Sequence, residues 1–233
     1  MPSSTTAATP AAPVLHYIFD PLCGWCYASA PLVAAARTLP GLELQWHAGG
    51  MLSGAARRTI TPDWRGHVMP HDERIAALTG QPFGDAYFNG LLNQIGATLD
   101  STPPIAAMLA AEALDGRGLD LLARAQTAHY VEGQQISTFA VLQSLAQDLG
   151  LDTQAFAAHY QTALTATPDH LRESREWLQA SGGQGFPTFL LEFTDPTGGQ
   201  RVGQTLDISP WLGNAAGWQA DLQQLLAAAQ PRN

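Results

Sequence analysis

The sequence predicts an α/β fold that is interrupted by an all-helical insertion. Strand-like runs occur only towards the two ends of the chain, at 14–19, 42–48 and 182–204. The middle, from about Pro62 to Gly182, instead repeats Ala, Leu, Gln and Arg at helical spacing between Gly, Pro and Asp breaks. A Cys-Gly-Trp-Cys motif directly follows the first strand and its turn.

The first predicted unit is a strand, a helix and a second strand. Residues 14–19, VLHYIF, are apolar, β-branched and aromatic, which is typical of a strand buried on both faces of a sheet. The helix that follows Pro21 is rich in Ala and Leu and ends at Pro40. Pro31 within it predicts a kink. The stretch 42–48 alternates apolar and polar residues and predicts the second strand.

Helices are predicted along the insertion wherever the apolar spacing permits. They cover residues 62–79, 103–114, 119–132, 138–149, 153–163 and 168–180. After them, residues 182–193 return to strand composition, and turn residues between 195 and 199 lead to a short strand near 201–204, so a hairpin is expected. An amphipathic helix from Ile208 to Ala229 completes the chain and is expected to cover one face of the sheet.

These elements divide the chain into three predicted parts. Residues 1–13 are rich in Ser, Thr, Ala and Pro and contain no apolar stretch long enough for a signal peptide, so we expect a disordered leader. Residues 14–55 and 183–230 are assigned to one α/β domain. Residues 56–182 are assigned to the helical insertion domain.

The composition argues against several kinds of partner. The chain carries 20 acidic residues against 11 basic ones, a net charge of -9, and it contains no lysine. So few cations cannot neutralise a row of phosphates, so we expect neither nucleic acid nor an anionic membrane surface as a partner. No run approaches the roughly 18 apolar residues of a membrane span. The expected location is the cytoplasm.

Cys23 and Cys26 are the only cysteines of the chain, and they are close enough to act together. Where a buried strand passes into a helix, the first thiol meets unpaired backbone N–H groups and the positive end of the helix, which favours a thiolate. Cys23 is therefore the expected nucleophile, and Cys26, one helical turn further on, is the expected resolving thiol. Gly24 and Trp25 add no positive charge, so we expect a mildly oxidising or mildly reducing couple.

Two further features flank this motif. The segment GFPT, at 185–188, begins a buried-looking strand, where proline is poorly tolerated unless its peptide bond is cis. We predict a cis Phe186–Pro187 bond, which would leave the Phe186 backbone free to pair with an extended substrate; an ordinary edge-strand proline is the alternative. Asp20 is expected to begin the turn before the motif, and accepting the Cys26 proton is its less favoured role.

Together, the first strand, DPLCGWCYASAP, the helical insertion and GFPTF resemble the DsbA superfamily, nearest its FrnE-like cytoplasmic branch. The segment HYVEGQQIS is also similar to that branch, and the resemblance spans nearly the whole folded chain. It implies a thioredoxin-like fold with an inserted helical domain, so residues 14–55 and 183–230 would form the thioredoxin-like domain. It also implies thiol-disulfide oxidoreductase activity, with catalytic roles for Cys23, Cys26 and Pro187.

The expected substrates are protein or small-molecule thiols and disulfides. No permanently bound cofactor and no metal are expected, and glutathione or a thioredoxin-type reductant is the expected electron partner. The candidate substrate-binding residues are Gly24, Trp25, Phe186 and Asp20. The sequence leaves open the direction of electron flow and the oligomeric state, for which a homodimer is one option.

Two other function classes remain as alternatives. The 2-hydroxychromene-2-carboxylate isomerases and kappa glutathione transferases share this architecture but generally have serine in place of the nucleophilic cysteine, so a glutathione-dependent isomerase or transferase is less favoured. A CxxC pair can also be half of a zinc or copper site, but the seven histidines form no compact cluster in the sequence.

Several other residues are weaker candidates for a ligand site. His67 and His71 stand at i, i+4 on a predicted helix, but Pro70 is expected to disturb that spacing. The Arg57-Arg58 pair could attract a carboxylate such as that of glutathione, although a solvated pair is the favoured interpretation. The tryptophans expected to pack in the core or between the domains are Trp46, Trp64, Trp177, Trp211 and Trp218.

Overall fold

The computed structural model describes residues 12–195 and 200–229. The strands in this part of the chain are β1 (Val14–Phe19), β2 (Glu43–Ala48), β3 (Arg58–Thr59), β4 (Thr98–Leu99), β5 (Thr188–Thr194) and β6 (Arg201–Leu206). The α-helices are α1 (Gly24–Ala28), α2 (Ala30–Ala36), α3 (Pro62–Thr79), α4 (Thr102–Asp115), α5 (Gly118–Tyr130), α6 (Phe139–Asp148), α7 (Thr153–Ala180) and α8 (Ala215–Ala228). No helix within the described ranges is long and apolar enough to cross a membrane.

The main sheet has four strands in the order β2-β1-β5-β6. β1 and β2 are parallel, with α1 and α2 in the connection between them, and β5 is antiparallel to both of its neighbours. Every residue of β1 is buried, as its uncharged sequence predicts. The antiparallel β5–β6 pair confirms the predicted hairpin, whose turn residues 196–199 lie outside the described residues, as do residues 1–11 of the predicted leader.

The two faces of the sheet are covered by different helices. On one face, Tyr17 and Phe19 belong to a buried cluster with residues of α2 and α8, including Trp218. On the other face, His16 stacks on Trp177 of α7 with ring centroids 4.1 Å apart. The side chains of β1 therefore alternate between two layers, as the strand geometry requires.

The kink predicted at Pro31 is confirmed. The helix after the motif is divided at Ser29 into α1 and α2, and Pro31 lies in the first turn of α2, where a missing N–H is tolerated. The buried Ser29 hydroxyl donates a hydrogen bond to the Cys26 carbonyl at 2.9 Å. Tyr17 Oη donates to the same carbonyl at 3.3 Å, so the break leaves no unpaired acceptor there.

The helical part of the chain packs around α4. Most α4 side chains between Pro104 and Ala111 are buried, and the helix contacts α5, α6 and α7. Together these helices form a second hydrophobic cluster, distinct from the one beside the sheet. The assignment of residues 56–182 to an insertion domain of their own remains a prediction.

The prediction of separate helices at 153–163 and 168–180 is wrong, because α7 runs without a break through Pro168. A proline in a helix interior costs about 3 kcal/mol, so tertiary packing must offset it. The buried stripe of α7, which includes Phe156, Tyr160 and Ala163, packs into the helical cluster. Further along α7, Arg175 donates to the carbonyls of Gly49 and Gly50 at 2.9 and 3.0 Å, and so ties the helix to the end of β2.

Two other details differ from the sequence prediction. The last helix begins at Ala215 rather than Ile208, because Gly213 takes a left-handed conformation with φ 81° and the Asn214 side chain caps the helix by accepting from Gly217 N. A strand is also present where the sequence predicts only helices: β4 pairs with β3 in a small two-stranded sheet. Strands of two residues are too short to produce an alternating pattern.

Trp218 should be essential for stability. Its side chain is 1% exposed, and its Nε1 donates to the Leu32 carbonyl at 3.1 Å. We expect Trp218→Ala to lower the free energy of unfolding by about 3–5 kcal/mol, measured by urea denaturation. In the control Ile95→Ala, which truncates a side chain that is 58% exposed, the change should stay below about 0.5 kcal/mol. Equal losses in the two variants would contradict the packing described here.

Candidate active site

Cys23 lies at the N-cap of α1, between the end of the turn after β1 and the segment that precedes β5. Its Sγ is 3.5 Å from the carbonyl oxygen of Phe186, to which the thiol donates. The side chain is 7% exposed and borders a cavity. The predicted nucleophile is therefore the sulfur that a substrate can reach.

Cys26 is completely buried behind Cys23. Its Sγ accepts a hydrogen bond from the backbone N–H of Asp20 at 3.5 Å. Burial, followed by the hydrogen bond and the charge of Cys23, raises the pKa of the Cys26 thiol well above its usual value. Cys26 is thus held as a protonated thiol that a substrate reaches only through Cys23, the arrangement that a resolving thiol needs.

The Phe186–Pro187 peptide bond is cis, as the sequence predicts. β5 begins at the next residue and lies between β1 and β6, so the alternative of an ordinary edge-strand proline does not apply. The Phe186 carbonyl points to Cys23. The Phe186 ring lies against Gly49, where an added β-carbon would come within 2.2 Å of the ring. The side chain of the residue opposite the sulfur therefore packs directly on the residue that follows β2.

Asp20 lies under the motif and is fully buried. Its Oδ1 accepts from Leu22 N at 2.8 Å and from the Ser101 hydroxyl at 2.9 Å, and its Oδ2 accepts from Met51 N at 2.6 Å. Burial raises the pKa of Asp20 to about 6, although these hydrogen bonds and Arg175 act in the opposite direction. The contacts are those of a turn-forming residue. Its assignment as a substrate-binding residue remains a prediction.

Two cavities flank the motif, and Trp25 and Phe186 line both of them. The first, here called the proline cavity, has a volume of about 420 Å³ and is also lined by Pro187 and by apolar residues such as Leu78 and Leu212. The second, here called the thiol cavity, has a volume of about 340 Å³ and is lined by Cys23, Gly24 and residues of α3 and α5. The two cavities therefore share this aromatic pair as lining.

The thiol cavity contains polar residues that the sequence did not place at the site. Trp25 Nε1 donates to His71 Nε2 at 3.1 Å, and His71 Nδ1 lies 3.5 Å from Asp72 Oδ1. The Tyr87 hydroxyl donates to Asp72 Oδ2 at 2.7 Å. His129 and Tyr130, the first residues of HYVEGQQIS, line the same cavity. In the sequence, HYVEGQQIS is notable only for its similarity to the FrnE-like branch, and no sequence signal pointed to Asp72.

Of the weaker candidates for a ligand site, some line the thiol cavity and others lie on the surface. His67 and His71 both border the thiol cavity, and Pro70 does not disturb their spacing, because α3 continues through it. Trp64 packs on the helical cluster, as expected, and also lines this cavity. The Arg57-Arg58 pair is exposed and borders neither cavity. In residues 12–195 and 200–229, no group of at least three His, Cys, Asp or Glu side chains could hold a metal ion.

Comparison with known proteins agrees with this geometry. A model of the DSBA-like thioredoxin domain matches residues 14–208, which confirms the resemblance to the DsbA superfamily and the thioredoxin-like fold with its many inserted helices. None of the curated proteins compared with the chain matches it.

Solved structures are also similar. The cytosolic disulfide reductase DsbM from Pseudomonas aeruginosa is 46% identical over 93% of this chain and 100% of that chain, with a TM-score of 0.84. A second structure of that reductase, with GSH, is 46% identical over 92% of this chain and 99% of that chain, with a TM-score of 0.80. A 2-hydroxychromene-2-carboxylate isomerase is only 15% identical, over 93% of this chain and 99% of that chain, with a TM-score of 0.56, and shows a common fold alone.

Gly24 should not tolerate even one added methyl group. A β-carbon at this position would lie 2.7 Å from Asp72 Oδ1 and 2.9 Å from Ile75 Cδ1. We expect Gly24→Ala to lower the free energy of unfolding by about 1–3 kcal/mol in urea denaturation. Gly185→Ala is the matched control, because no heavy atom lies within 4 Å of a β-carbon there. If Gly24→Ala is as stable as the control, the close approach of Asp72 and Ile75 to Gly24 is contradicted.

Asp20 should make the stability of the protein depend on pH. Because its pKa rises from 3.8 to about 6 on folding, the folded state binds more protons than the unfolded state in that window, and stability falls as the pH rises through it. Each pKa unit is worth about 1.4 kcal/mol, so the loss is about 3 kcal/mol.

The comparison with Asp20→Asn isolates this contribution, because the other titrating groups are common to both proteins. Between about pH 3 and about pH 8, the wild type should lose about 3 kcal/mol of unfolding free energy relative to the variant, measured by urea denaturation at each pH. A difference that stays constant over this range would show that the Asp20 carboxyl is not the titrating group.

Proposed function

The chain belongs to the DSBA-like thioredoxin domain family and is a thiol-disulfide oxidoreductase, and we propose that it acts as a reductase in which Cys23 attacks, Cys26 resolves and glutathione supplies the electrons. One observation carries the assignment of the residues. Cys23, which is 7% exposed, borders a cavity and its sulfur faces the Phe186 carbonyl, while Cys26 is completely buried.

The first step is attack by the Cys23 thiolate on one sulfur of a substrate disulfide. The Cys23–substrate bond forms, the substrate S–S bond breaks, and the second substrate sulfur leaves as a thiolate. Because Cys26 is buried and its thiol is protonated, it cannot compete for the external disulfide. The product of this step is a mixed disulfide at Cys23.

The second step releases the substrate. Cys26 loses its proton, the departing thiolate being a suitable acceptor, and its sulfur attacks Cys23 Sγ. The Asp20 N–H, which donates to Cys26 Sγ, stabilises the negative charge that develops there. The first substrate sulfur, which was bonded to Cys23, leaves with the Cys26 proton as a thiol, and the protein retains a Cys23–Cys26 disulfide. Two molecules of glutathione then reduce this bond and leave as one glutathione disulfide, so the electrons balance.

The site also suggests how each partner binds. The thiol cavity of about 340 Å³ is within the usual range for small-molecule sites and combines apolar walls with convergent polar groups, which suits glutathione. We assign extended polypeptide substrates to the backbone at Phe186 and to Pro187, where a strand can be added beside the sulfur. Gly24 and Trp25 are then substrate contacts. The structure of the P. aeruginosa reductase with GSH supports the choice of electron donor.

We place the protein in the cytoplasm, where glutathione keeps thiols reduced. The 46% identical DsbM is a cytosolic protein, which supports this location. A reductase that depends on glutathione would be ineffective in an oxidising compartment, because its dithiol would not be restored.

Removal of either sulfur should separate the two steps. We expect Cys23→Ser to abolish reduction of insulin disulfides by glutathione, because no nucleophile reaches the substrate. Cys26→Ser should complete the first step and accumulate a mixed disulfide at Cys23, detected by intact-protein mass spectrometry after incubation with glutathione disulfide. Ser181→Ala, a hydroxyl substitution outside both cavities, serves as the control and should retain wild-type turnover.

Undiminished turnover in Cys23→Ser would refute the assignment of the nucleophile. Full turnover in Cys26→Ser, without an accumulated adduct, would instead indicate a reaction that needs one sulfur only.

A further inference from the structure

Asp72 lies directly against the Cys-Gly-Trp-Cys motif, although it is far from the motif in sequence. Its side chain is buried and borders the thiol cavity together with Cys23. A β-carbon on Gly24 would be only 2.7 Å from Asp72 Oδ1, so the carboxyl is in contact with the residue that follows the nucleophile. The mechanism described above does not use this carboxyl.

Contacts with Tyr87 and His71 hold Asp72 in place. The Tyr87 hydroxyl donates to Oδ2 at 2.7 Å, and His71 Nδ1 lies 3.5 Å from Oδ1, while His71 Nε2 accepts from Trp25. Burial raises the pKa of Asp72, and the bonds from Tyr87 and His71 act in the opposite direction. The titratable groups that line the cavity with it are Cys23, His67, His71, Tyr87, His129 and Tyr130.

No permanent cation offsets this carboxylate. The chain has no lysine, and the residues that line the thiol cavity, all of them described, include no arginine. Two negative charges in one partly buried space repel each other, and the repulsion is stronger than in water because the effective dielectric constant is lower. A thiolate at Cys23 and a carboxylate at Asp72 are such a pair.

We propose that Asp72 is a positioning residue for disulfide exchange, whose carboxylate disfavours the thiolate at Cys23 and so keeps the Cys23–Cys26 couple reducing. When the Cys23 thiol is ionised, the reduced protein carries both charges, whereas in the oxidised protein only the carboxylate remains. The repulsion therefore destabilises the dithiol form and favours donation of its electrons to a substrate disulfide. A couple whose reduced form is stabilised is, conversely, a strong oxidant. The inference rests on the function proposed above.

The test compares Asp72→Asn with the wild type in glutathione redox buffers at pH 9, where the thiolate contributes most to the reduced state. Asparagine keeps the shape of the side chain and removes the charge. We expect the equilibrium constant to shift about tenfold towards the dithiol, which corresponds to a potential about 30 mV less negative. Asp85→Asn, which removes the same charge from an exposed position that lines neither cavity, should stay within about twofold of the wild type. An unchanged constant in Asp72→Asn would overturn the proposal.

Two further measurements separate electrostatics from structural support. Tyr87→Phe removes the hydrogen bond to Asp72 but keeps its charge, so it should lower stability and leave the equilibrium constant within about twofold. If Asp72→Asn does not fold, the wild type itself gives the answer by carbon-13 NMR of its carboxyl groups. Because coupling is reciprocal, the carboxyl signal of Asp72 should shift as the pH is raised through the ionisation of Cys23 in the reduced protein, and should stay constant in the oxidised protein. A signal that stays constant in both forms would overturn the proposal.

The results of the glutathione equilibration show separately whether the proposed function fails or only the role of Asp72 fails. If neither the wild type nor the variant equilibrates with glutathione, the proposed function fails. If both equilibrate with the same constant, the protein is the proposed reductase and the role of Asp72 alone is refuted.

Discussion

The buried carboxylate of Asp20 is the contact on which the geometry of the site depends. It joins three segments that are distant in sequence: the turn at Leu22, the loop after β2 at Met51, and the start of α4 at Ser101. A buried carboxyl is tolerated only where hydrogen bonds satisfy it, so each segment is held in one position relative to the others. These hydrogen bonds therefore fix the position of Cys23 and of the adjacent residues that line the thiol cavity.

The two sulfurs differ because their surroundings differ, although they are chemically identical. Cys26 lies within the sheet-side core, and a backbone N–H faces its sulfur. Cys23 lies at the edge of that core, where a cavity and the Phe186 carbonyl face its sulfur. In the mechanism that we propose, burial sets the order of events: one sulfur meets the substrate, and the other completes the exchange. The repulsion that we infer between Asp72 and Cys23 would in addition favour electron transfer from the dithiol to the substrate disulfide.

Much of the sheet domain could be predicted from the sequence, because its signals are local. The apolar run of β1, the motif that follows it and the proline at 187 each carry their own constraint, and the structure shows the expected strand and the expected cis bond. The helical half was less predictable. The continuity of α7 through Pro168 and the approach of Asp72 to Gly24 result from packing between distant residues, and a single sequence contains no local pattern for such contacts.

The unbroken course of α7 has a consequence for how substrates are selected. The first half of α7 packs into the helical cluster. In its second half, Arg175 donates hydrogen bonds to the carbonyls of Gly49 and Gly50, just after β2. Because this helix is continuous at Pro168, it joins the helical layer to the sheet. The two carbonyls that accept from Arg175 lie directly before Met51 and Leu52, which line the thiol cavity, so the same helix supports the wall against which a substrate must fit.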